Sequence, residues 1–226
     1  MRSFWGLYKN EKYRVGCNGN TIYIYDMDNK EIGKFKDIKY AYVGAFQPDS
    51  NIFVAKSTEG SLAIYDLDKM ELIKKIVITK IGAQDEGFAF SLDGAYFYNI
   101  EKPIRSTKTQ LTIYRTSDYE VVKVILKEND FMVLESLEFD AHTGEGYVQG
   151  FIRNASGVMD YGFIGKLVDE NIWGMKRIEG KRYDYISAYK KWELSGFSKK
   201  KLEYSRMKTY SEKPHISLKQ IYEEQS

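Results

Sequence analysis

The strongest pattern along the chain is a two-residue alternation between Asn51 and Val77. Ile52 and Val54, then Leu62 and Ile64, recur at every second position, the spacing of a strand whose successive side chains point to opposite faces. Ser57-Thr58-Glu59-Gly60 and Asp66-Leu67-Asp68-Lys69 interrupt the run. Short polar side chains in such segments bond their own backbone and compete with a sheet ladder, so both read as turns. Leu72 to Ile76 then resumes an extended pattern laced with lysine. The stretch predicts short strands joined by tight turns, an antiparallel meander.

The same pattern recurs before and after. Leu62 to Ile76 matches Thr21 to Phe35, then Leu111 to Ile125, then more faintly Tyr161 to Ile178. Tyr25, Tyr65, Tyr114 and Ile164 mark equivalent places, separated by 40, 49 and 50 residues. A second landmark keeps the same phase. Ala45-Phe46-Gln47-Pro48-Asp49-Ser50, Ala89-Phe90-Ser91-Leu92-Asp93-Gly94 and Glu138-Phe139-Asp140-Ala141-His142-Thr143-Gly144 each run an apolar strand end into an Asp-containing turn, a hairpin signature. A four-stranded propeller blade repeats at roughly 40–50 residues.

At these residues the chain resembles the WD40-like and YVTN-type β-propeller families. Phe46 to Ser50 and Phe90 to Gly94 are similar to their Phe-Ser-Pro-Asp-Gly turn, and Tyr25-Asp26 and Tyr65-Asp66 stand where a Trp-Asp pair would. The resemblance covers about residues 20–180. No Gly-His pair stands at the expected place, and the two histidines are His142 and His215. The resemblance implies a radial scaffold for partner binding rather than a chemistry. The expected fold is all-β, a small β-propeller of about five blades over residues 1–210, the last blade incomplete or closed by a terminal segment. That fifth repeat is drawn from Tyr183 to Tyr189 and Leu194 to Met207. Residues 211–226 are expected to be a tail or a short helix, with Leu218, Ile221 and Tyr222 at helical spacing.

Composition narrows the class. The 226 residues suffice for one sizeable core, and 15% aromatic content rich in tyrosine suits sheets that pack face to face. No apolar run reaches the roughly 20 residues of a membrane-spanning helix, so no membrane association is expected. The segment Met1 to Gly6 lacks an apolar signal core, and the single cysteine, Cys17, fits a reducing compartment, so a cytoplasmic location is expected. Net charge is +2, but residues 171–226 hold 13 Lys and Arg against 7 Asp and Glu. A basic end hints at an acidic partner, while a solvated strand face with ordinary lysine content is the plainer explanation.

Catalytic signatures are missing. There is no paired-cysteine or His-Glu-x-x-His metal motif, no phosphate-binding glycine loop and no Gly-x-Ser-x-Gly elbow. Neither a cofactor nor an enzymatic activity is expected. Asp26-x-Asp28 and Asp66-x-Asp68 superficially resemble calcium loops but lack the glycine and distal glutamate, so they read as turns.

Register supplies the candidate surface. Tyr42, Glu86, Glu135 and Tyr185 each stand four residues before Phe46, Phe90, Phe139 and Tyr189 on the expected innermost strands. Four is even, so each should share a face with its aromatic and lie at the rim where loops gather. Tyr40, Arg105 and Arg153 belong to loops expected on that rim. Mixed charge with exposed tyrosine is the composition of a polar protein interface. The favoured function is a non-catalytic propeller that engages a protein partner through Tyr40, Tyr42, Glu86, Arg105, Glu135, Arg153 and Tyr185. A sugar-binding propeller, nucleic-acid binding by the basic stretch Lys190 to Tyr210, and hydrolysis by Glu86 with Glu135 are the alternatives weighed.

Overall fold

The computed structural model describes residues 4–79, 87–102, 108–126, 131–178 and 217–225. They form sixteen strands and one helix, and the chain divides into two compact units. In the first, β1 (Gly6–Lys9), β2 (Arg14–Cys17), β3 (Ile22–Tyr25) and β4 (Glu31–Phe35) make one sheet, in that order. β5 (Ala41–Phe46), β6 (Ile52–Ser57), β7 (Ser61–Asp66) and β8 (Glu71–Val77) make the next. In the second unit, β9 (Phe88–Phe90), β10 (Tyr96–Glu101), β11 (Gln110–Arg115) and β12 (Glu120–Ile125) form one sheet. β13 (Met132–Phe139), β14 (Gly146–Arg153), β15 (Met159–Val168) and β16 (Asn171–Ile178) form its companion. Every pairing is antiparallel between sequence neighbours, so each sheet is the meander that the alternation predicts. The fifth repeat expected across residues 183–207 lies outside the described residues.

Burial follows from position in the sheet. β8 alternates exposed and half-buried residues along its whole length, because an outer strand has one solvated face. β6 and β7 are buried on both faces, which is why Phe53, Val54, Ala55, Leu62, Ala63 and Ile64 form a near-continuous apolar run. In the first unit the two sheets pack face to face through Val15, Cys17 and Ile24 against Phe53, Ala55 and Tyr65. Phe35 stacks on Tyr65 with ring centroids 4.2 Å apart. In the second unit Ile100, Leu111 and Ile113 meet Leu134, Val148 and Phe163 in the same manner. The first strands of consecutive sheets lie side by side, β1 near β5 and β9 near β13.

The turn landmarks coincide with the ends of the first strands. The amides of Gln47, Ser91 and Asp140 bond the carbonyls of Ile52, Tyr96 and Glu145 at 3.0, 2.9 and 2.9 Å, closing three equivalent hairpins directly after Phe46, Phe90 and Phe139. The aspartate pairs are turn acceptors. Asp66 Oδ1 takes the amides of Asp68 and Lys69, and Asp26 Oδ1 takes those of Asp28 and Lys30. Asp68 ties the β7–β8 turn to the β1–β2 turn through Lys12 and Tyr13, and to the β5–β6 turn through Asn51. The Lys12 ammonium, with the Asn51 and Tyr13 donors, holds the Asp68 carboxyl down at about 2.

One equivalence shifts. Tyr65 lies opposite Phe53, and Tyr114 opposite Phe97. In the fourth sheet the corresponding pair is Leu167 opposite Gly146, so Leu167 rather than Ile164 stands at the tyrosine position. The β14–β15 hairpin is longer than its counterparts and bulged near its tip, which displaces the phase by three residues, and a count along the sequence does not see this.

The expected terminal helix is α1 (Leu218–Glu224), begun by Ser217, whose side chain accepts the Gln220 amide. Leu218 and Ile221 are fully buried against Tyr147, Ile164 and Ile178. Glu138 accepts the Leu218 amide at 2.8 Å, and Lys219 pairs with Asp140 at 3.3 Å. Ile221→Ala should weaken this docking by about 2–5 kcal/mol. Amide exchange across Leu218–Glu224 should accelerate while β5–β8 keep their protection.

Candidate functional site

The first unit brings Tyr40 and Tyr42 together at the entry to β5. Tyr40 holds a positive φ of 54°, rare for a bulky residue, and neighbouring backbone bonds fix it there. The Thr58 amide bonds the Tyr40 carbonyl at 3.1 Å, and the Ser57 hydroxyl bonds the Lys39 carbonyl at 2.6 Å. Ala41 exchanges two backbone bonds with Gly19 on the β2–β3 turn. At Tyr42 the β5–β6 register shifts: Ala41 pairs with Ser57 and Val43 with Lys56, so Tyr42 is the extra residue of a β-bulge. Its ring packs edge-on against Trp5 at 5.3 Å and against Tyr40 at 6.3 Å. Gly19, at φ +93°, leaves room for this ring, since a Cβ there would come within 2.9 Å of it. Trp5 is 69% exposed and Tyr40 42% exposed. Exposed Trp5 and Tyr40 therefore flank half-buried Tyr42 in one aromatic arc at the end of the sheets where β1 and β5 begin.

The second unit repeats the device with different chemistry. Leu134 pairs with Gly150 and Ser136 with Gln149, which makes Glu135 the bulged residue of β13. Tyr42 and Glu135 thus hold the same position in the second and fourth sheets, as counting four residues back from Phe46 and Phe139 predicts. The even spacing does not define their face, because each bulge inserts a residue and breaks the period of two. Each bulge lies against a fully buried polar residue of the next strand, Lys56 and Gln149 respectively. Gln149 donates to Glu135 Oε2 at 3.2 Å, leaving its own carbonyl oxygen without a partner. Arg153 closes the β13–β14 end through its amide on the Phe131 carbonyl, with its guanidinium 5.6 Å from the Phe151 ring. Glu86, Arg105, Tyr185 and the basic stretch Lys190 to Tyr210 lie outside the described residues.

Two features were not expected from sequence. One is Trp5, an isolated aromatic ahead of the first strand, whose only sequence mark is the run Phe4-Trp5-Gly6. The other is a buried polar network around Glu101 at the end of β10. Its carboxylate accepts from the Thr112 hydroxyl at 2.6 Å, the Tyr114 hydroxyl at 2.6 Å and the Asn99 amide at 2.9 Å. Asn99 lies opposite Thr112, so alternate positions on β10 and β11 share this face. Burial, and then the adjacent Glu101 charge, push the Tyr114 hydroxyl far above its ordinary range, so it remains a donor. The alternation Asn99-x-Glu101 facing Thr112-x-Tyr114 is the signature that marks the network.

At the other end of β13 a cavity of about 460 Å³ opens between β9, the β13–β14 turn and α1. Phe88, Phe90, Phe139 and Tyr147 line it, with His142 and Lys219 among its polar residues. Asp140 is committed to structure there. The Thr143 amide and hydroxyl, with Lys219 and the His142 amide, hold its carboxyl at about 2.

No family model and no curated protein matches this chain. Many solved chains share its architecture. One is the WD40 domain of coronin from Toxoplasma gondii, with a TM-score of 0.56 and 12% identity, covering 74% of this chain. The fold is WD40-like. The chain spans 43% of that coronin chain, and at such identity the likeness concerns fold alone. Within the WD40-like pattern, Tyr25, Tyr65 and Tyr114 are buried on the third strand of their sheets.

Proposed function

We propose that this WD40-like protein is a non-catalytic binding module that engages a protein partner at the strand-entry rim. The observation that carries this reading is the aromatic arc in which exposed Trp5 and Tyr40 flank Tyr42, the bulged residue of β5. Aromatic side chains give large contact area at small entropic cost and dominate interface energetics. A WD40-like fold supports the reading because such scaffolds are often interaction modules, and a fifth repeat across residues 183–207 belongs to the same reading. Glu135 and Arg153 supply polar contacts in the second unit, and Glu86, Arg105 and Tyr185 complete the proposed set.

The test compares affinity purification from the native cell with the wild-type chain and with a Tyr40→Ser/Tyr42→Ser variant. The co-purifying set should lose its most abundant members at least about tenfold in the variant. Thermal unfolding should change by no more than about 1–2 kcal/mol, because Tyr40 is exposed and Tyr42 is only half-buried. An unchanged set would refute the reading.

A further inference from the structure

We infer that Asn18-Gly19 is a modification site, a peptide bond primed for deamidation by water that the fold holds shut through the bridge between Gly19 and Ala41. This goes beyond the protein-partner reading and does not depend on it.

Asn18-Gly19 is the only Asn-Gly pair in the sequence. A glycine after asparagine leaves the following backbone nitrogen unshielded by a side chain and free to rotate toward the carboxamide. In the reaction the Gly19 nitrogen loses its proton and bonds Asn18 Cγ, while Nδ2 takes up a proton and leaves as ammonia. The product is a cyclic succinimide. Water then cleaves either of its ring C–N bonds. Cleavage at Cγ returns aspartate in the ordinary backbone. Cleavage at the backbone carbonyl leaves Gly19 attached through the side chain, an isoaspartate with an added methylene in the main chain. Either route replaces an amide by a carboxylate, consumes a water and releases an ammonia.

The structure primes the electrophile and withholds the nucleophile. Asn18 Oδ1 accepts the Asn20 amide at 3.2 Å and the Thr21 amide at 2.9 Å. Donors on that oxygen stabilise the negative charge that develops there when Cγ is attacked, as in an oxyanion hole. Asn18 is only half-buried, which leaves the site open to water. Gly19, by contrast, is buried. Its N–H donates to the Ala41 carbonyl at 3.1 Å, and its carbonyl accepts the Ala41 amide at 3.0 Å. Ala41 itself has no exposed surface. A nitrogen held in that bond keeps its proton and cannot turn toward Cγ. The reaction therefore waits for the bridge to open, and its rate follows the local opening free energy. The bridge joins the β2–β3 turn to the entry of β5, and a Cβ at Gly19 would come within 2.9 Å of the Tyr42 ring. An isoaspartate lengthens the turn and takes Gly19 out of register with Ala41, so conversion loosens the seat of Tyr42.

Peptide mapping by mass spectrometry, with the isomeric acids separated, follows Asn18 during incubation in mildly alkaline buffer. In the urea-unfolded chain Asn18 should convert before every other asparagine. In the folded chain it should convert at least about tenfold more slowly, with the Gly19 amide protected from hydrogen exchange by a similar factor. Ser57→Ala removes the hydroxyl that bonds the Lys39 carbonyl at 2.6 Å and steadies the segment entering Ala41. It should raise the folded-state rate at least about threefold while exchange across β9–β12 stays unchanged. Equal rates in folded and unfolded chains, unprotected exchange at Gly19, or a Ser57→Ala rate no faster than wild type would each overturn the inference. The rate ratio and the Gly19 exchange keep the test decisive even if Ser57→Ala fails to fold. None of these measurements uses a partner, so their failure leaves the protein-partner reading standing.

Discussion

Phe53→Ala is expected to destabilise the first unit by about 3–5 kcal/mol, the range for removing a fully buried phenylalanine. Phe53 has no exposed surface and meets Tyr8 and Phe46 with centroids 5.5 and 5.1 Å apart. Its ring also fills the space over Gly44, where a Cβ would lie 2.3 Å from it. The cavity left behind would undercut β5, the strand whose bulge presents Tyr42. Urea unfolding followed by amide exchange should show the midpoint fall and β5–β7 lose protection. Under the proposed function, partner capture should weaken with it, although Phe53 is fully buried. A loss below about 1 kcal/mol would mean that the two sheets do not share this core.

Glu101→Leu should cost the second unit about 3 kcal/mol or more. The substitution keeps approximate volume but strands the Thr112 and Tyr114 hydroxyls and the Asn99 amide, and each unsatisfied buried donor costs about 1–3 kcal/mol. Tyr114→Phe alone should cost about 1 kcal/mol, since it removes one donor and leaves the carboxylate its other partners. In the Glu101→Leu background the same change should be nearly neutral or favourable. Denaturation of the four chains gives the coupling directly. An additive cycle would show that the short hydrogen bonds contribute no net stability.

Much of the architecture was legible because strand periodicity is local. Alternation at Ile52, Val54, Leu62 and Ile64, and turn chemistry at Asp26, Asp66 and Asp140, depend only on neighbours a few residues away. The three hairpins after Phe46, Phe90 and Phe139 were readable for the same reason. Equivalence of Tyr42 with Glu135 followed from a short count between fixed landmarks. The same counting failed where a bulge or a longer turn intervened, as at Leu167. Bulges respond to packing across strands, which leaves no mark on a period of two.

The surface was less legible. Trp5 and Tyr42 are 37 positions apart in the chain. Their contact exists because the first and second sheets place β1 beside β5. The Glu101 network joins residues of two strands whose pairing the turn length sets, and its burial is a property of the folded unit.

The sequence by itself determined the all-β class, the repeated four-strand meander, the turns and the terminal helix, since each is written in short-range alternation and side-chain-to-backbone competition. Only the tertiary structure decided where the bulges fall, which aromatics remain exposed and which polar groups are buried together. Those outcomes follow from how sheets pack on one another, and packing compares residues that the chain keeps far apart.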